Sequence, residues 1–158
     1  MRALSTAANY SVLWGAIAAV LAMRRGKGRT AAIEGVVGIG VTSAVVNQGV
    51  KRVAERRRPE RVAADVPVGR HVRMPRSTSF PSGHSASAFA FASAAGDVMP
   101  MLAPPLYTLA AVVAYSRVHT GVHYPADILV GSLVGLIAGN TVSASSRWWR
   151  RRNDRLSR

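Results

Sequence analysis

Residues 81–96 read PSGHSASAFAFASAAG, a proline-serine-glycine turn followed at once by a histidine and a run of small, mostly apolar residues. Serine is a favoured N-cap residue, so the turn predicts that a helix begins beside His84. The free N–H groups at a helix N-terminus, with the helix dipole behind them, favour a bound anion. A histidine beside such an anion keeps its proton, because the negative charge favours the charged ring. This stretch therefore predicts a helix with an anion site and a general acid at its start.

The composition points to a membrane protein. The 158 residues are 49% hydrophobic but only 6% aromatic, which would pack a soluble core thinly. The net charge of +14 is concentrated in blocks at 24–29, 51–76 and 147–158, with apolar runs between them. Basic blocks alone would suit nucleic acid, but the apolar runs argue against that partner. Because the sequence contains no cysteine, disulfides and thiolate metal sites are excluded.

Five hydrophobic segments are candidates for membrane spans, each of which needs about 20 mainly apolar residues. They run from Leu4 to Met23, Thr30 to Val50, His84 to Ala103, Leu106 to Ser116 and Asp127 to Ala144. The length and basic flank of the first segment favour a retained anchor over a cleaved signal peptide. Small residues in the third and fifth segments allow helices to approach closely. We therefore expect an all-α fold, a polytopic transmembrane helical bundle.

The bundle is expected to form one membrane-embedded domain over residues 1–158, with a basic C-terminal tail at 145–158. Five spans place the polar segments 51–83 and 117–126 on one membrane face. Cations favour the cytoplasmic side, and eleven lie on this face against ten on the other. Setting aside three cations assigned to chemistry below leaves eight against ten. The balance then favours an outward-facing site in a bacterial-type plasma membrane.

Two cations precede the histidine turn at a helical spacing. Lys51 and Arg58 are seven residues apart, so they share a face if the second segment continues as a helix to Pro59. The residue before a proline disfavours the helical region, which predicts the end of that helix. Lysine offers a point charge and arginine a planar fork, and the pair suits an anion with several oxygens.

A second histidine lies beyond the fourth segment. His123 and Asp127 are four residues apart, so the carboxylate can accept a hydrogen bond from one ring nitrogen. Such a partner fixes the tautomer and leaves the other nitrogen's lone pair available. Histidine can also attack directly and form a covalent intermediate. One histidine is therefore suited to attack and His84 to protonate.

Three motifs carry a family resemblance. Lys51-x6-Arg58-Pro59, Pro81-Ser82-Gly83-His84 and Ser116-Arg117-x5-His123-x3-Asp127 follow one another in the chain. Together they resemble the three-part signature of the type-2 phosphatidic acid phosphatase (PAP2) superfamily, which includes vanadium haloperoxidases and bacterial acid phosphatases. One departure is the span count, since membrane members of the superfamily usually have six transmembrane helices and more than two before the first motif.

The resemblance implies a metal-independent phosphatase that needs no cofactor. His123 would be the nucleophile that takes the phosphoryl group, Asp127 would orient it, and His84 would protonate the leaving oxygen. The residues implied to hold the phosphate oxygens are Lys51, Arg58, Ser82, Gly83 and Arg117.

A lipid-borne phosphate is the expected substrate, because the site lies at the membrane face. The protein would hydrolyse a phosphomonoester or pyrophosphate through a phosphohistidine intermediate. A polyprenyl-linked (pyro)phosphate or polyprenyl sugar phosphate of cell-envelope synthesis leads this prediction, and phosphatidic acid or phosphatidylglycerol phosphate is the alternative. The expected partners are this substrate and membrane lipids, without nucleic acid, and a homo-oligomer is compatible with them.

Two other functions compete with this prediction. His119, His123 and Asp127 are spaced by four and could ligate zinc along a helix face, although Gly121 and Pro125 interrupt that helix. A non-enzymatic assembly or transport subunit could use the basic tail to bind anionic lipid. The sequence also places Glu34, Asn47 and Gln48 in an apolar segment, where we expect interhelical hydrogen bonds. His71 and His119 fall on no motif position and are read as loop or wall residues.

Overall fold

The computed structural model describes residues 1, 11–50, 54, 56–61, 65–75 and 77–156. Within these residues there is no β-strand. In this described part of the chain, five α-helices follow one another, namely α1 (Val12–Ala22), α2 (Lys27–Ala44), α3 (Gly83–Val98), α4 (Ala103–His119) and α5 (Pro125–Leu156). A π-helix, Val45–Val50, continues α2, and 3-10 turns lie at Val68–Arg70 and Pro100–Leu102. The prediction of an all-α bundle is confirmed.

Several helix ends differ from the predicted ones. α3 ends at Val98, five residues before the predicted end at Ala103, and Pro104 and Pro105 lie in the first turn of α4. The first turn tolerates proline because its N–H groups have no intrahelical partner there. α5 continues beyond Ala144 to Leu156, so the basic tail is helical to that residue.

Two helices of the described part of the chain are long and apolar enough to cross a membrane by themselves. They are α2 with its π-helical continuation, Lys27–Val50, and α5, Pro125–Leu156. The shorter α3 has 16 residues, which span about 24 Å at 1.5 Å per residue. The hydrocarbon core is about 30 Å thick. The helix α3 is therefore shorter than the hydrocarbon core is thick.

α3 lies at the centre of the bundle and packs against α2, α4 and α5. From Ser85 to Gly96 every residue is buried except the partly buried Phe89. Most of these residues are alanine, serine or glycine, so three helices can surround α3 at short distance. The large side chain of Phe91 fills the space that remains and lies 5.3 Å from the Trp14 ring of α1.

The contact between α3 and α5 depends on three glycines of α5. Gly131, Gly135 and Gly139 follow one another at one-turn intervals and face the backbone of α3. A methyl group on Gly131 would lie 2.5 Å from the carbonyl oxygen of Ser82, and one on Gly139 would lie 2.6 Å from that of Ala90. The two helix backbones therefore touch without intervening side chains.

A polar cluster links α2 and α3 to the C-terminal half of α5. Glu34 of α2 is 4% exposed, and its carboxylate accepts hydrogen bonds from Ser143 (3.2 Å), Ser146 (2.6 Å) and Arg150 (2.8 Å) of α5. Arg147 forms a further ion pair with Asp97 of α3. The expected interhelical hydrogen bonding is thus confirmed for Glu34, because the buried charge is satisfied across two helices.

Replacing Gly135 by alanine tests the α3–α5 contact. The new methyl group would overlap the Ala86 carbonyl oxygen, and we expect the free energy of unfolding to fall by about 1–3 kcal/mol. Gly40→Ala is the matched control, because no atom lies within 4 Å of its added methyl group and alanine favours a helix over glycine. Thermal unfolding of the detergent-solubilised variants measures both. Equal midpoints for the two variants would contradict this contact.

Candidate active site

The loop between α4 and α5 places His123 at the end of the bundle. Gly121 has a φ of +63°, a left-handed conformation that glycine adopts without strain. Its N–H donates to the carbonyl oxygen of Val118 at 2.9 Å. The N–H of His123 then donates to the carbonyl oxygen of Arg117 at 3.2 Å. These bonds close the C-terminus of α4 and hold the His123 backbone against it.

Asp127 is fully buried in the first turn of α5. Its carboxylate accepts hydrogen bonds from Arg56 Nη1 at 3.2 Å, from Ser79 Oγ, and from the N–H of Tyr124 at 2.9 Å. The last bond caps the helix start, where a negative charge is also favoured by the helix dipole. The buried charge is therefore compensated by three donors from two separate segments.

His123 lies between Asp127 and Arg58, and its side chain is 2% exposed. Its Nδ1 is 3.5 Å from Asp127 Oδ2, and its Nε2 is 3.3 Å from Arg58 Nη1. A guanidinium can only donate hydrogen bonds, so Nε2 must be the acceptor in this contact. The ring proton then resides on Nδ1, beside the carboxylate. Nε2 keeps its lone pair, which is the form of histidine able to attack.

Arg58 is held by the loop that follows α2. Its Nε donates to the Ser77 carbonyl oxygen (3.0 Å), and its Nη1 donates to that of Val122 (3.0 Å). Its Nη2 donates to Ser77 Oγ and to the Thr78 carbonyl oxygen, both at 3.2 Å. Burial lowers the pKa of Arg58, and the negative charge of Asp127 opposes that shift. The guanidinium is thus fixed in position beside His123.

The prediction that a helix carries Arg58 was wrong. Residues 56–60 have no helical structure, and the π-helix that continues α2 ends at Val50. Arg58 reaches the site because backbone carbonyl groups of the loop bind its guanidinium, without any help from helical periodicity. Lys51 lies outside the described residues.

The start of α3 has the serine N-cap that the sequence predicts. Ser82 is the N-cap of α3, and its buried hydroxyl accepts a hydrogen bond from the N–H of Ser85 at 3.4 Å. The N–H of Ser82 donates to the backbone oxygen of Asp127 at 2.9 Å. Gly83 and His84 form the first turn of the helix. The predicted helix start is confirmed, and one backbone bond joins it to the start of α5.

A pocket of about 170 Å³ opens between these segments. It is lined by four of the predicted site residues, Arg58, Gly83, His84 and His123. The remaining lining residues are Ser11, Trp14, Thr42, Ser43, Val46, Asn47, Pro75, Ser77 and Ser87. The other predicted residues in the described part of the chain are buried and are not part of this lining, and they are Ser82, Arg117 and Asp127.

Positive charge is concentrated around Arg117, next to the pocket residue Arg58. Arg117 is fully buried in the last turn of α4, and Arg58 and Arg61 act on it as like charges. A bound anion would offset this repulsion. The electrostatics therefore suit a multiply charged anion in the pocket.

Three residues of the site escaped the sequence analysis, namely Arg56, Ser77 and Ser79. Arg56 donates a hydrogen bond to the Asp127 carboxylate, and its guanidinium also lies over the Tyr124 ring, 4.3 Å from the ring centroid. Nothing in the sequence distinguishes it from its neighbour Arg57. Ser79 follows a serine and a threonine of the same loop, and only the folded loop selects it for Asp127.

The remaining histidines lie outside the pocket lining. His119 packs its ring against Tyr115, with centroids 5.8 Å apart, and His71 Nε2 lies 3.0 Å from the Val66 carbonyl oxygen. Among the described residues, no three His, Cys, Asp or Glu side chains come close enough to hold a metal ion. The zinc alternative thus lacks a ligand set in this part of the chain.

Comparison with known proteins identifies the family. Residues 32–152 match the model of the PAP2 superfamily, which is more than half of the chain. The protein therefore belongs to the PAP2 superfamily, as the three motifs predicted.

Two relatives are mycobacterial enzymes named decaprenylphosphoryl-5-phosphoribose phosphatase. The Mycolicibacterium smegmatis protein is 37% identical over 134 residues, which cover 82% of this chain and 68% of the relative. The Mycobacterium tuberculosis protein is 37% identical over 100 residues, or 60% of this chain and 50% of the relative. The chain thus spans about half the length of the latter.

A solved structure shares the architecture. The transmembrane PAP2-type phosphatidylglycerolphosphate phosphatase of Bacillus subtilis superposes with a TM-score of 0.70 at 25% identity, covering 92% of this chain and 74% of that one. The helical bundle is thus a transmembrane PAP2 fold.

Ser79→Ala tests the support of the buried carboxylate. The substitution removes a donor to Asp127 inside a fully buried environment, and we expect the free energy of unfolding to fall by about 1–3 kcal/mol. Ser145→Ala, at an exposed position of α5, is the control and should leave the thermal midpoint nearly unchanged. An unchanged midpoint in Ser79→Ala would show that Asp127 does not depend on this hydroxyl.

Proposed function

We propose that the protein is a membrane lipid phosphatase that transfers the phosphoryl group to His123 and then to water. The observation that carries the proposal is the setting of the His123 ring. Its Nδ1 faces a buried carboxylate at 3.5 Å, its Nε2 accepts from a fixed guanidinium at 3.3 Å, and both histidines line one pocket. A nucleophile, an orienting group, an acid and an anion-binding arginine thus meet in one place.

In the first step, the Nε2 lone pair of His123 attacks the phosphorus, and the bond from phosphorus to the leaving oxygen breaks. His84 donates its proton to that oxygen, so the alcohol leaves neutral. Phosphorylation makes the imidazole cationic, and Asp127 stabilises this charge beside Nδ1. Arg58 exchanges its contact with Nε2 for the phosphoryl oxygens, where negative charge is spread during transfer.

In the second step, a water molecule replaces the alcohol. His84, now neutral, accepts a proton from the water as its oxygen attacks the phosphorus. The bond from phosphorus to His123 breaks, inorganic phosphate leaves, and both histidines return to their starting states. Lys51 and Arg117, together with Ser82 and the N–H groups at the start of α3, complete the oxyanion environment in this proposal.

The leading substrate is a phosphorylated sugar carried on a polyprenyl lipid, and the names of the mycobacterial relatives support it. The hydrolysed bond would be the terminal phosphomonoester. The name of the Bacillus subtilis neighbour supports a second candidate, phosphatidylglycerol phosphate. A pocket at the end of a transmembrane bundle suits either lipid, because the head group can enter while the chains stay in the bilayer.

Phosphate release from a lipid panel tests the proposal. We expect His123→Ala to lower kcat at least about a thousandfold because the nucleophile is lost, and His84→Ala to lower it about 10²–10⁴-fold because the acid is lost. His119→Ala is the matched control, since this histidine packs on Tyr115. Colorimetric phosphate assays of the purified proteins in mixed micelles, with thermal midpoints to verify folding, measure the effect.

Several results would contradict this function. Full activity in His123→Ala would exclude the phosphohistidine route. Loss of activity in EDTA with recovery in zinc would favour a metal enzyme. Hydrolysis of water-soluble phosphates alone would remove the lipid assignment, and release from none of the panel would favour a non-enzymatic membrane role.

We further propose that the pocket opens to the outer face of a bacterial-type plasma membrane. The distribution of cations supports this orientation, with ten on the tail side and eight on the pocket side once Lys51, Arg58 and Arg117 are set aside as binding groups. Cations that do not bind substrate favour the cytoplasmic side.

Cysteine labelling tests the orientation, because the native chain has no cysteine. Val68 lies in the pocket-side loop and Leu156 at the end of α5, and they are 81% and 78% exposed. In intact cells, a membrane-impermeant maleimide should label Val68→Cys but reach Leu156→Cys only after permeabilisation. The reverse pattern would place the pocket on the cytoplasmic side.

A further inference from the structure

Apart from Ser11 and Ser77, four neutral polar residues line the pocket beside the groups assigned to phosphoryl transfer. We name this set the hydroxyl wall, and it comprises Thr42, Ser43, Asn47 and Ser87. Three belong to the end of α2 and its π-helical continuation. Ser87 lies on α3 one turn after His84, so the two residues share a face of that helix. The hydroxyl wall therefore adjoins the proposed proton donor.

Thr42 is the most informative member of the wall. It is 1% exposed, and its hydroxyl has no hydrogen-bond partner among the described residues. A helical threonine commonly donates to the carbonyl group four residues before it, and Thr42 does not. A buried hydroxyl without a partner costs about 1–3 kcal/mol. A cost of this kind is recovered when a ligand supplies the missing bond.

The other members of the wall also retain their hydrogen-bonding capacity. Within the described chain, no hydrogen bond joins the side chains of Ser43, Asn47 or Ser87 to another residue. Asn47 is exposed and lies in the π-helix Val45–Val50, a wide helical form that is frequent at functional sites. The interhelical bond expected for Asn47 is not made. Polar side chains in a membrane bundle are costly, so their grouping at one pocket points to a ligand.

We infer that the hydroxyl wall binds free hydroxyl groups on the carbon skeleton that carries the scissile phosphate. This inference rests on the proposed function and narrows its substrate to a polyol or sugar phosphate. The wall residues are neutral and offer both donors and acceptors, which match alcohols. They add no positive charge for the second phosphate of a pyrophosphate. A diacylated glycerol phosphate has no free hydroxyl for them to bind.

The ratio of the kcat/KM values for two lipids measures the contribution of Thr42 to substrate recognition. One is a short-chain farnesylphosphoryl-5-phosphoribose, and the other is dioleoyl phosphatidic acid, which lacks free hydroxyl groups. Thr42→Val removes the hydroxyl and keeps the shape of the side chain. We expect it to lower the ratio about fivefold to tenfold, the effect of one lost neutral hydrogen bond. Thr42→Ser should restore the ratio, because it returns the hydroxyl.

Two further variants make the test decisive. Thr141→Val is the matched control, because this exposed threonine is not a pocket residue and donates to the Ile137 carbonyl oxygen at 2.8 Å. The kcat/KM ratio of this variant should equal that of the wild type. Asn47→Ala is a second probe and should also lower the ratio. Because Asn47 is exposed, its replacement should leave the fold intact, so loss of folding would not explain a lower ratio.

The outcomes separate this inference from the proposed function. If the wild type hydrolyses the lipids but Thr42→Val and Asn47→Ala keep its ratio, the hydroxyl wall is excluded while the phosphatase remains. An equal fall for both lipids without rescue by Thr42→Ser would assign Thr42 a structural role and also exclude the inference. Hydrolysis of neither lipid by the wild type would contradict the proposed function, and the inference with it.

Discussion

The buried carboxylate of Asp127 joins the three segments that form the site. Taking a carboxylate out of water costs several kcal/mol unless donors replace its hydration, and here Arg56, Ser79 and the N–H of Tyr124 do so. The backbone oxygen of the same residue accepts from Ser82 at the start of α3. The side chain and the backbone of this one residue therefore bring the loop after α2, the start of α3 and the start of α5 together, and His123 lies beside them.

The glycines of α5 make this arrangement sterically feasible. Gly131 allows α5 to meet the Ser82 backbone at the first turn of α3, and Gly135 and Gly139 continue the contact along the bundle. The same close approach that packs the membrane helices thus also sets how near the start of α3 lies to the start of α5. The α3–α5 interface contributes both to the stability of the protein and to the geometry of the site. A larger side chain in this interface would therefore disturb both.

Local patterns predicted the helical parts of this protein well. Ser82 has the chemistry of an N-cap, and the spacing of His123 and Asp127 anticipated their pairing. Helical periodicity gave a wrong prediction for Arg58, because this residue lies in a loop and backbone carbonyl groups hold its guanidinium. Ser79 and Arg56 reach Asp127 across 48 and 71 residues, and no local signal encodes contacts of that range. The same holds for Glu34, whose partner Arg150 is 116 residues away.

The length of α5 sets the depth of the candidate site in the bilayer. Its 32 residues extend about 48 Å at 1.5 Å per residue, well beyond a hydrocarbon core of about 30 Å. Trp148 follows Asp127 by 21 positions, which is a rise of about 32 Å along the helix. Trp148 and Trp149 are exposed, and tryptophan prefers the head-group level. With the indoles at one boundary, the rigid helix holds Asp127 at the other, where lipid phosphates lie.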